Sequence, residues 1–489
     1  MFRTIRTRIG RDTDYADPER INRLTAYNQV LDGTIYDSFP FDFHQERDGD
    51  RYVPLRDRAP SVRFNLCRTV VQDSISLLFG EGRFPTVLIG DSRDEVGAFI
   101  TAAKLEPLMV ETAMSGSVGS VAIHMRILDG RVFYQPMRTT YLTPVFADEA
   151  PDRLIGMTEL YKVKGRDLQR MGYEIADESA NAMHWFRRTW DENQEGWYIP
   201  VPVNQPGARP ETMQLDVPRS VVHGLGICPF VWIKNLPPSS GVDGQCTFAP
   251  AIDAQIEIEY QLSQAGRGLK YSSDPTLVIK EPAAPDGDFV KSAGNALVVS
   301  EKGDAKLLEI GGTASQAVVD YVKALRELAL ETVHGHRAAA DKVSAAQSGR
   351  AIELSFQGLV WLTDKLRTSY GAGLVEAVEL ARRAVRTGRI TLQDKNGNTL
   401  TLPEGEIALQ WGSFFPPTHQ DRQSDATALT TLIHDEVISR QTSTGLIART
   451  YDIPDVEAER ALIEAEQAAQ MQRAKEMAAQ VKLNETGEA

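Results

Sequence analysis

The chain has 489 residues, 42% of them hydrophobic and 25% charged, and its net charge is −14. This balance is typical of globular proteins and excludes a chain that is disordered throughout, and the length is enough for roughly two to four domains. The acidic surplus argues against a protein that grips nucleic acid over its whole surface, because such binding neutralises phosphates with Lys and Arg. A protein that DNA must pass without sticking is still compatible with this charge.

The sequence predicts neither a membrane span nor a secretory signal. It has no apolar run approaching the ~18 residues that cross a bilayer, and its first residues lack an apolar stretch. We therefore expect the protein to stay in the compartment where it is made. The three cysteines, Cys67, Cys228 and Cys246, are widely spaced and odd in number, which favours a reducing compartment and buried, unreactive thiols.

The beginning of the chain predicts a polar arm followed by a helix. Residues 1–60 are rich in Asp and Arg and indicate an irregular arm with one short helix near residues 16–31. From Phe64 to Leu78 the apolar residues keep a helical spacing, and Gly80-Glu-Gly82 ends the pattern as a helix C-terminus should.

The next part of the chain changes from helices to strands. Two short helices are expected at about 92–103 and 106–115. The stretches VAIHMRIL and RVFYQPM then flank Asp129-Gly130, which predicts two strands joined by a type I′ turn. Further strand-like pieces are separated by Gly, Asn, Asp and Pro up to CPFVWIKNLPP, so we expect a β-rich middle third.

After Pro250 helices dominate again. One helix reaches about Leu269, and a second runs from about Ala314 to Val333. Between them, the strand-like pieces TLVIK and NALVVS surround a Pro- and Gly-rich stretch, which predicts a small α/β insertion. One face of the second helix is apolar and consists of Val318, Val322, Leu325, Ala329 and Val333.

A long helix and a helical C-terminus complete the predicted elements. Apolar residues from Ile352 to Val385 hold one helical face for more than thirty residues, and Gly371 and Gly373 make a bend plausible within it. A hairpin and a short strand lead to the boundary at Pro416-Pro417, and the remainder is predicted to be helical.

Most strong enzyme signatures are absent from the sequence. It contains no Walker-type phosphate loop, no HExxH and no CxxC. The nearest approach to a nucleophile elbow is Ser115-Gly-Ser-Val-Gly119, which has Ser in place of the first Gly and precedes a strand instead of following one. We interpret it as a small-residue turn and predict no catalytic residue.

The histidines offer one alternative chemistry. His334 and His336 would face one side of an extended segment, so a shared metal is geometrically possible, although no carboxylate or cysteine completes an evident ligand set. A metal-dependent hydrolase or nuclease using this pair is the competing hypothesis. We expect His124, His184 and His223 to be ordinary structural or surface residues.

One stretch lies between the helix that begins near Ala314 and the helix that begins near Ile352. Its side chains are small and its charge is mildly basic. It carries Arg337, Lys342 and Arg350, and its only large apolar residue is Val343. Ser348-Gly349 before a helix could hold a phosphate at the free N–H groups or could be a plain helix cap. Both interpretations stay open.

The order of these pieces resembles the portal proteins of tailed bacteriophages, in the group of the SPP1-type portals. The resemblance rests on LFGEG after the first clear helix, CPFVWIKNLPP before the helical half, SGRAIEL before the long helix, and two C-terminal stretches, FPPTHQDRQSDATALTTLIHDEVISRQT and ARTYDIPDVEAERALIEAE. It extends from about residue 20 to about residue 470. Each motif is modest alone, and their order is more specific than any one of them.

The resemblance implies an α+β fold of the portal type, with a β-rich wing, two stem helices, a small α/β clip, a long wing helix and a helical crown. The implied segments are the N-terminal arm and wing at 1–249, stem helices at 250–269 and 314–334, the clip at 270–313, a tunnel loop at 335–350, the long wing helix and strands at 351–418, and the crown and tail at 419–489.

The resemblance also implies a non-enzymatic function without metal or cofactor. Portals form dodecameric rings at one capsid vertex of the virion, through which double-stranded DNA passes without sequence preference during packaging and ejection. Implied partners are the large terminase subunit, head-completion proteins, and the major capsid and scaffolding proteins, with synthesis in the host bacterial cytoplasm and no membrane. An inert capsid-associated adaptor is a third hypothesis.

Two groups of residues are then candidates for the DNA channel. The three basic residues of the tunnel loop, Arg337, Lys342 and Arg350, are expected to touch phosphates transiently. The exposed side of the first stem helix carries Asp253, Glu257 and Glu259, which are candidates for an acidic channel wall because like charge prevents DNA from sticking. A solvated helix face is the alternative explanation for these acids.

Overall fold

A computed structural model gives the structure of the chain in two compact units. The first unit comprises Met1–Arg337 and Phe356–Gly412, and the second comprises Ala338–Ser355 and Ser413–Ala489. Helices account for 49% and strands for 21% of the residues, which confirms the α+β class. The described residues are 2–8, 12–90, 92–207, 209–236, 241–273, 276–282, 299–308, 312–335, 356–388, 390–415, 419–435, 437–450 and 456–486.

The α-helices are numbered along the chain. In the first unit they are α1 Phe2–Arg8, α2 Pro18–Asp32, α3 Leu66–Phe79, α4 Asp94–Ala102, α5 Leu105–Gly116, α6 Gly165–Arg170, α7 Ile252–Ser273, α8 Gly312–Thr332 and α9 Gln357–Gly388. In the second unit they are α10 His419–His434, α11 Arg440–Thr450 and α12 Val456–Thr486. Within the described ranges, no helix combines the length and the apolar character needed to cross a membrane.

Among the described residues, all strands belong to the first unit. They are β1 Phe41–Asp42, β2 Arg47–Asp48, β3 Arg51–Tyr52, β4 Arg58–Ala59, β5 Thr86–Ile89, β6 Ser120–Leu128, β7 Arg131–Arg138, β8 Leu142–Ala147, β9 Ala150–Lys164, β10 Met183–Trp190, β11 Gln194–Trp197, β12 Val201–Pro202, β13 Val221–Val222, β14 Phe230–Lys234, β15 Thr276–Pro282, β16 Val299–Leu308, β17 Leu392–Gln393, β18 Thr399–Leu400 and β19 Ile407–Gln410.

The β-rich middle of the chain forms two antiparallel sheets. The larger has the order β13-β11-β10-β9-β8, with β12 pairing to β10, and the smaller has the order β14-β6-β7. Strands β6 and β7 pair up to Leu128 opposite Arg131, so the connection has two residues. Asp129 and Gly130 both have positive φ, at 50° and 77°, as a type I′ turn requires, so the predicted turn is confirmed.

The N-terminal arm is more ordered than its composition predicts. Helix α2 is confirmed, and Asp17 caps its N-terminus by accepting a hydrogen bond from the N–H of Arg20. Leu24 and Tyr36 are only 1% and 2% exposed, so the arm contributes side chains to the core. Residues 33–60 are largely irregular, as predicted, with two-residue strands and one 3₁₀ turn, but helix α1 was not predicted, and buried polar contacts let this polar sequence pack inside the protein.

The most extensive of these polar contacts is made by Arg20. Its Nε and Nη2 atoms donate to Asp243 at 2.8 Å each, and it also donates to the carbonyls of Thr139 and Leu142 at 3.0 Å. Ser120 Oγ donates to the same carboxylate at 2.6 Å. Burial alone would raise the pKa of Asp243, but the hydrogen bonds from Arg20 and Ser120 hold that pKa below its ordinary value.

The long helix is confirmed as α9, which continues through both of its central glycines. A Cβ atom on Gly373 would lie 2.2 Å from Ile233 Cδ1, and one on Gly371 would lie 3.2 Å from Leu409 Cδ1. The glycines therefore allow strand β14 and the segment around Leu409 to approach the helix closely. Close approach, more than the expected bend, explains why Gly occurs at these positions.

The second unit is helical, as the sequence predicts. Helices α10 and α11 correspond to the predicted helices around SDATALTTLIHDEVI and STGLIARTY. Helix α12 continues to Thr486, although few large apolar residues occur in it, and residues 464–475 are exposed. The predicted capping sequence at Asp452 lies outside the described residues.

The buried pair of Arg20 and Asp243 gives a first prediction. Asp243→Ala should lower the free energy of unfolding by about 3–5 kcal/mol, because it leaves a buried guanidinium without its carboxylate. The control is Asp32→Ala, which removes an exposed pair with Arg138 whose side chains are 38% and 46% exposed, and should cost less than about 1 kcal/mol. Urea denaturation of both variants measures the difference, and equal losses would contradict a special role for the buried pair.

Candidate functional site

Helices α7 and α8 pack against each other, and the antiparallel strands β15 and β16 lie between them in the chain. Strand β15 begins with the predicted TLVIK, and β16 continues beyond the predicted NALVVS to Leu308, because residues 304–308 pair with residues 276–280 of β15. Helix α7 ends at Ser273, four residues later than predicted, and α8 begins at Gly312. Residues 283–298 of the predicted insertion lie outside the described residues.

One side of α7 carries polar side chains spaced four residues apart, which we call the polar stripe of α7. These side chains accept hydrogen bonds from backbone N–H groups of residues 62–67. The bonds join Gln255 Oε1 to the N–H of Cys67, Glu259 Oε1 to the N–H of Phe64, and Ser263 Oγ to the N–H of Val62, at 2.9, 3.0 and 3.0 Å. The polar stripe thus satisfies donors that helix α3 and the segment before it would otherwise bury unpaired.

Glu259 lies at the centre of the polar stripe and is 1% exposed. Its Oε2 atom accepts a hydrogen bond from the hydroxyl of Tyr36, and its Oε1 atom accepts one from Gln255 Nε2 at 3.2 Å. Burial raises the pKa of Glu259, and these hydrogen bonds only partly offset the effect. The prediction that Glu259 lies on the exposed side of the helix is wrong, because α7 turns this face toward residues 62–67.

The other two predicted acids keep contact with solvent. Asp253 is exposed and accepts a hydrogen bond from the N–H of Phe2 at 2.9 Å, and this bond lowers the pKa of Asp253. Glu257 is half-buried and accepts a hydrogen bond from Gln261 Nε2 at 2.7 Å. The structure therefore separates the three acids into a buried structural residue and two with solvent-accessible carboxylates.

Helix α8 has two apolar faces. The predicted face is confirmed, since its residues from Val318 to Val333 are buried or half-buried. The second face is exposed to solvent, and we call it the outer stripe of α8. Its residues follow the spacing i, i+4, i+7, i+11 and are Ala317, Tyr321, Ala324 and Leu328. Tyr321 and Leu328 are 47% and 59% exposed, which is unusual for large side chains in such a regular array.

The predicted DNA-contacting residues Arg337, Lys342 and Arg350 lie outside the described residues, as does His336. His334 is described, is exposed, and has a φ of 55° just after the end of α8. Its N–H and that of Gly335 donate to carbonyls in the last turn of the helix. His334 thus has the left-handed backbone conformation that commonly ends a right-handed α-helix.

The hypothesis of a metal site finds no support among the residues that the structure describes. No group of three or more His, Cys, Asp or Glu side chains there is arranged to hold a metal ion. His336, the partner of His334 in that hypothesis, lies outside the described residues.

The Ser115–Gly119 stretch is the predicted small-residue turn. Helix α5 ends at Gly116, and Ser117 is 2% exposed, with its hydroxyl donating to the carbonyl of Met114 at 2.8 Å. Gly119 has a φ of 148° and leads into strand β6 at Ser120. A buried hydroxyl that is already engaged with the backbone does not have the exposed geometry of a catalytic nucleophile.

Two of the remaining histidines are structural, as predicted. His124 is 2% exposed and stacks on Phe230 with ring centroids 4.5 Å apart, and burial lowers its pKa to about 3. His184 is 2% exposed, with Nδ1 3.1 Å from the carbonyl of Ala182. His223 is half-buried, and its Nδ1 atom accepts a hydrogen bond from the N–H of Leu225 at 3.2 Å.

The cysteines are free in the structure. Cys67 and Cys228 are buried and Cys246 is half-buried. Burial raises the pKa of Cys228 and of Cys246 to about 12. The thiols therefore stay protonated at neutral pH, and the expectation of buried thiols is confirmed for the first two cysteines.

The polar stripe and the outer stripe were not predicted from the sequence. The spacing of Gln255, Glu259 and Ser263 was a visible signal, but i, i+4, i+8 polar residues also describe an ordinary solvated helix face. The outer stripe was hidden because alanine occupies half of its positions. Only the burial of each side chain in the structure distinguishes a buried polar stripe from a solvated helix face.

The described residues combine long helices, two of which pack as a pair, with two antiparallel sheets. The chain belongs to the family of phage portal proteins of the SPP1 Gp6-like type. Residues 206–480, which are more than half of the chain, match the model of this family. This family is structural and not enzymatic, and its members are components of the phage capsid. No curated protein matches the chain significantly.

The polar stripe gives a second prediction. Glu259→Ala should lower the free energy of unfolding by roughly 2–4 kcal/mol, because it leaves the N–H of Phe64 and the hydroxyl of Tyr36 without an acceptor in the interior. Glu259→Gln should cost less, since an amide oxygen can still accept from Phe64 and the hydroxyl of Tyr36 can turn to accept from the amide. Glu257→Ala on the same helix is the control and should cost less than about 1 kcal/mol.

The raised pKa of Glu259 also fixes a pH dependence. A group that binds protons more tightly in the folded state contributes less stability as pH rises from its unfolded pKa through its higher folded pKa. The unfolding free energy of the wild type minus that of Glu259→Gln should therefore fall as pH rises from about 4.5 toward neutrality. Denaturation at several pH values measures this difference, and a flat or rising profile would contradict the buried-carboxylate description.

Proposed function

We propose that the chain assembles into a closed, dodecameric ring at one capsid vertex and serves as the conduit through which double-stranded DNA enters and leaves the phage head. The observation that carries this proposal is the family match, which spans the α7–α8 helix pair, strands β15 and β16, and the long helix α9. Native mass spectrometry with negative-stain imaging of the purified protein tests it. A closed ring with a central hole is expected.

The outer stripe of α8 supports the ring. The predicted apolar face of α8 is covered by other parts of the chain, whereas Tyr321 and Leu328 expose apolar surface on the opposite side of the same helix. Helix α7 exposes Leu269, which is 54% accessible, near the same end of the helix pair as β15. In a head-to-tail ring, one surface of each subunit meets a different surface of the next, and two-sided helices suit such an interface. We therefore propose that the outer stripe packs on a neighbouring subunit.

The charge distribution supports passage of DNA without tight binding. A net charge of −14 repels the phosphate backbone, and the proposed wall residues Asp253 and Glu257 keep carboxylates at the surface of α7. The basic residues Arg337, Lys342 and Arg350 of the proposed tunnel loop would then supply contacts that are weak singly and repeated in each subunit. Salt-dependent, sequence-independent contact is the expected behaviour.

The segments take the roles that the family resemblance implies. We propose that residues 1–249 form the arm and wing, 250–269 and 314–334 the stem, 335–350 the tunnel loop, and 351–418 the long wing helix with its strands. The clip at 270–313 would dock the large terminase subunit during packaging and head-completion proteins afterwards. Residues 419–489 would form the crown and tail, and the major capsid and scaffolding proteins would contact the outside of the ring.

The ring interface gives a third prediction. Leu328→Glu places a charge in the outer stripe, so it should prevent ring closure while leaving the folded subunit intact, because Leu328 is already exposed in the isolated chain. Native mass spectrometry measures the oligomer, and circular dichroism checks the fold. Glu327→Gln, at the position just before Leu328 in the same helix, is the control and should keep the ring. An unchanged ring in Leu328→Glu would remove the outer stripe from the interface.

The tunnel loop gives a fourth prediction. Lys342→Glu should weaken association with double-stranded DNA, and the difference from the wild type should shrink as salt is raised, because salt screens phosphate contacts. Binding titrations at several salt concentrations measure this effect. Deletion of residues 338–347 should impair packaging while leaving the ring intact. A ring lost on deletion, or DNA binding that does not depend on salt, would contradict the proposed role.

A further inference from the structure

Strand β14 is an edge strand of the smaller sheet, whose order is β14-β6-β7. Just beyond its two ends, the carbonyl of Pro229 and the N–H of Asn235 form hydrogen bonds with backbone groups of β6 and of the residue before it. Because hydrogen-bonded residues alternate along an antiparallel strand, the odd-numbered residues of β14 bond to β6. The even-numbered residues direct their backbone N–H and carbonyl groups away from β6, and they are Phe230, Trp232 and Lys234.

These outward groups leave part of the edge unpaired. The N–H of Phe230 turns back to the carbonyl of Cys228 at 2.8 Å. The N–H groups of Trp232 and Lys234 have no hydrogen-bond acceptor in the part of the chain that the structure describes. Donors spaced two residues apart are the pattern to which a further strand bonds, and proteins rarely leave such an edge open.

The unpaired edge forms one side of a groove of about 1150 Å³ in the first unit. Consecutive residues from Phe230 to Lys234 all line this groove, although successive side chains of a strand point to opposite faces. A groove that runs along the edge of the strand accounts for this lining. Its volume exceeds the roughly 300–1,000 Å³ of common small-molecule sites, so a length of polypeptide is the better fit.

Helix α9 and the hairpin of β8 and β9 form the walls of the groove. The helix contributes one face over about four turns, from Thr368 to Arg383, and the hairpin contributes residues 150–154 at the start of β9. Because the edge of β14 lies between these walls, a single extended segment can reach it. The edge of a folded sheet is too broad to do so.

The basic side chains of the groove are engaged within the chain. Arg153 pairs with Glu192 at 3.2 Å. Arg383 pairs with carboxylates of its own helix. Lys234 donates from Nζ to the carbonyl of Gly241 at 2.8 Å. These cations therefore leave little positive charge for an acidic partner to recognise.

The acidic side chains of the groove are not balanced in the same way. Glu376 on α9 and Asp152 on the hairpin both line the groove. Burial raises the pKa of Glu376, and the charges of Glu379 and Asp152 raise it further against the lowering by Arg383. Arg383 is shared between Glu376 and Glu379, and Asp152 has no cationic partner among the described residues. A basic side chain in the groove would relieve the repulsion between these carboxylates.

We propose that the groove beside β14 binds an extended, basic peptide segment of another protein, which adds a strand to the smaller sheet. The outward backbone groups of Trp232 and Lys234 bond to this strand, and a Lys or Arg side chain of the strand lies near Asp152 and Glu376. The walls account for a single extended segment, and the unbalanced carboxylates account for its positive charge. The groove is complete in one chain, so it does not depend on ring formation or on DNA.

The experiment uses a matched pair of peptides with the full-length protein. The probe is a heptapeptide of alternating threonine and valine, with lysine in place of the central valine and both ends blocked. The control peptide has glutamate instead of lysine. Fluorescence anisotropy should show that the lysine peptide binds about tenfold more tightly, because only lysine is attracted by the carboxylates of the groove.

Two N-methylated forms of the lysine peptide test the backbone pairing. One is methylated at its inner threonines, and the other at its valines and its lysine. An added strand bonds to its neighbour through alternate residues, so one form should lose binding and the other should keep most of it. Hydrogen exchange measured by mass spectrometry should also slow in fragments that contain residues 230–234 when the unmodified peptide binds.

Three variants assign the binding to the groove. Asp152→Asn removes one of the carboxylates and should reduce the preference for lysine over glutamate. Asp148→Asn is the control, because Asp148 is exposed in the turn of the same hairpin but does not line the groove. Ala372→Trp enlarges an exposed residue of the helical wall and should block both peptides.

Three results would overturn the proposal. The first is the absence of binding by the lysine peptide at millimolar concentration, which would mean that water satisfies the edge of β14. The second is an equal effect of the two methylation patterns, or equal binding of lysine and glutamate peptides, which would exclude the strand pairing or the charge recognition. The third is binding by single chains and not by assembled protein, which would mean that a second copy of this chain occupies the groove.

Discussion

The backbone of residues 62–67 runs against the buried side of α7 because side chains of that helix accept its N–H groups. The polar stripe takes the place that apolar residues would have in a simple helix–helix contact. Without Glu259 at its centre, the N–H of Phe64 and the hydroxyl of Tyr36 would lose their acceptor in the interior, which is a heavier penalty than the loss of an apolar contact. The stripe thereby fixes the position of α3 relative to α7, and through α7 the position of α8.

Helix α9 holds several strands of the first unit in place. Its small residues allow β14 to lie close to it, and Tyr370 donates a hydrogen bond to Asn235 Oδ1 at 3.0 Å just beyond that strand. Tyr134, from strand β7, donates to the carbonyl of Ala377 at 2.7 Å. One long helix thus holds both a strand and its sheet neighbours, so a surface formed on the sheets has a rigid support.

Local signals predicted the elements that depend on local physics. Asp129-Gly130 identified its turn because few residues other than Gly and Asn or Asp adopt two successive positive φ angles. Helix α9 was predictable because its apolar spacing is sustained over many turns. The burial of Glu259 was not predictable, because a carboxylate on a helix is most often exposed. Only the tertiary positions of Tyr36 and Phe64, which donate hydrogen bonds to it, make its burial tolerable.

Several contacts of the N-terminal arm join residues far apart in the chain. Tyr36 and Glu259 are 223 residues apart, as are Arg20 and Asp243, and the bond from Phe2 to Asp253 spans 251 residues. At a synthesis rate of roughly 5–20 residues per second, the arm would leave the ribosome roughly 10–45 seconds before its partners are made. During that interval Phe2, Arg20 and Tyr36 lack these partners. Such non-local closure also slows folding. The nascent arm therefore depends on protection from premature association until residues 243–259 have been made.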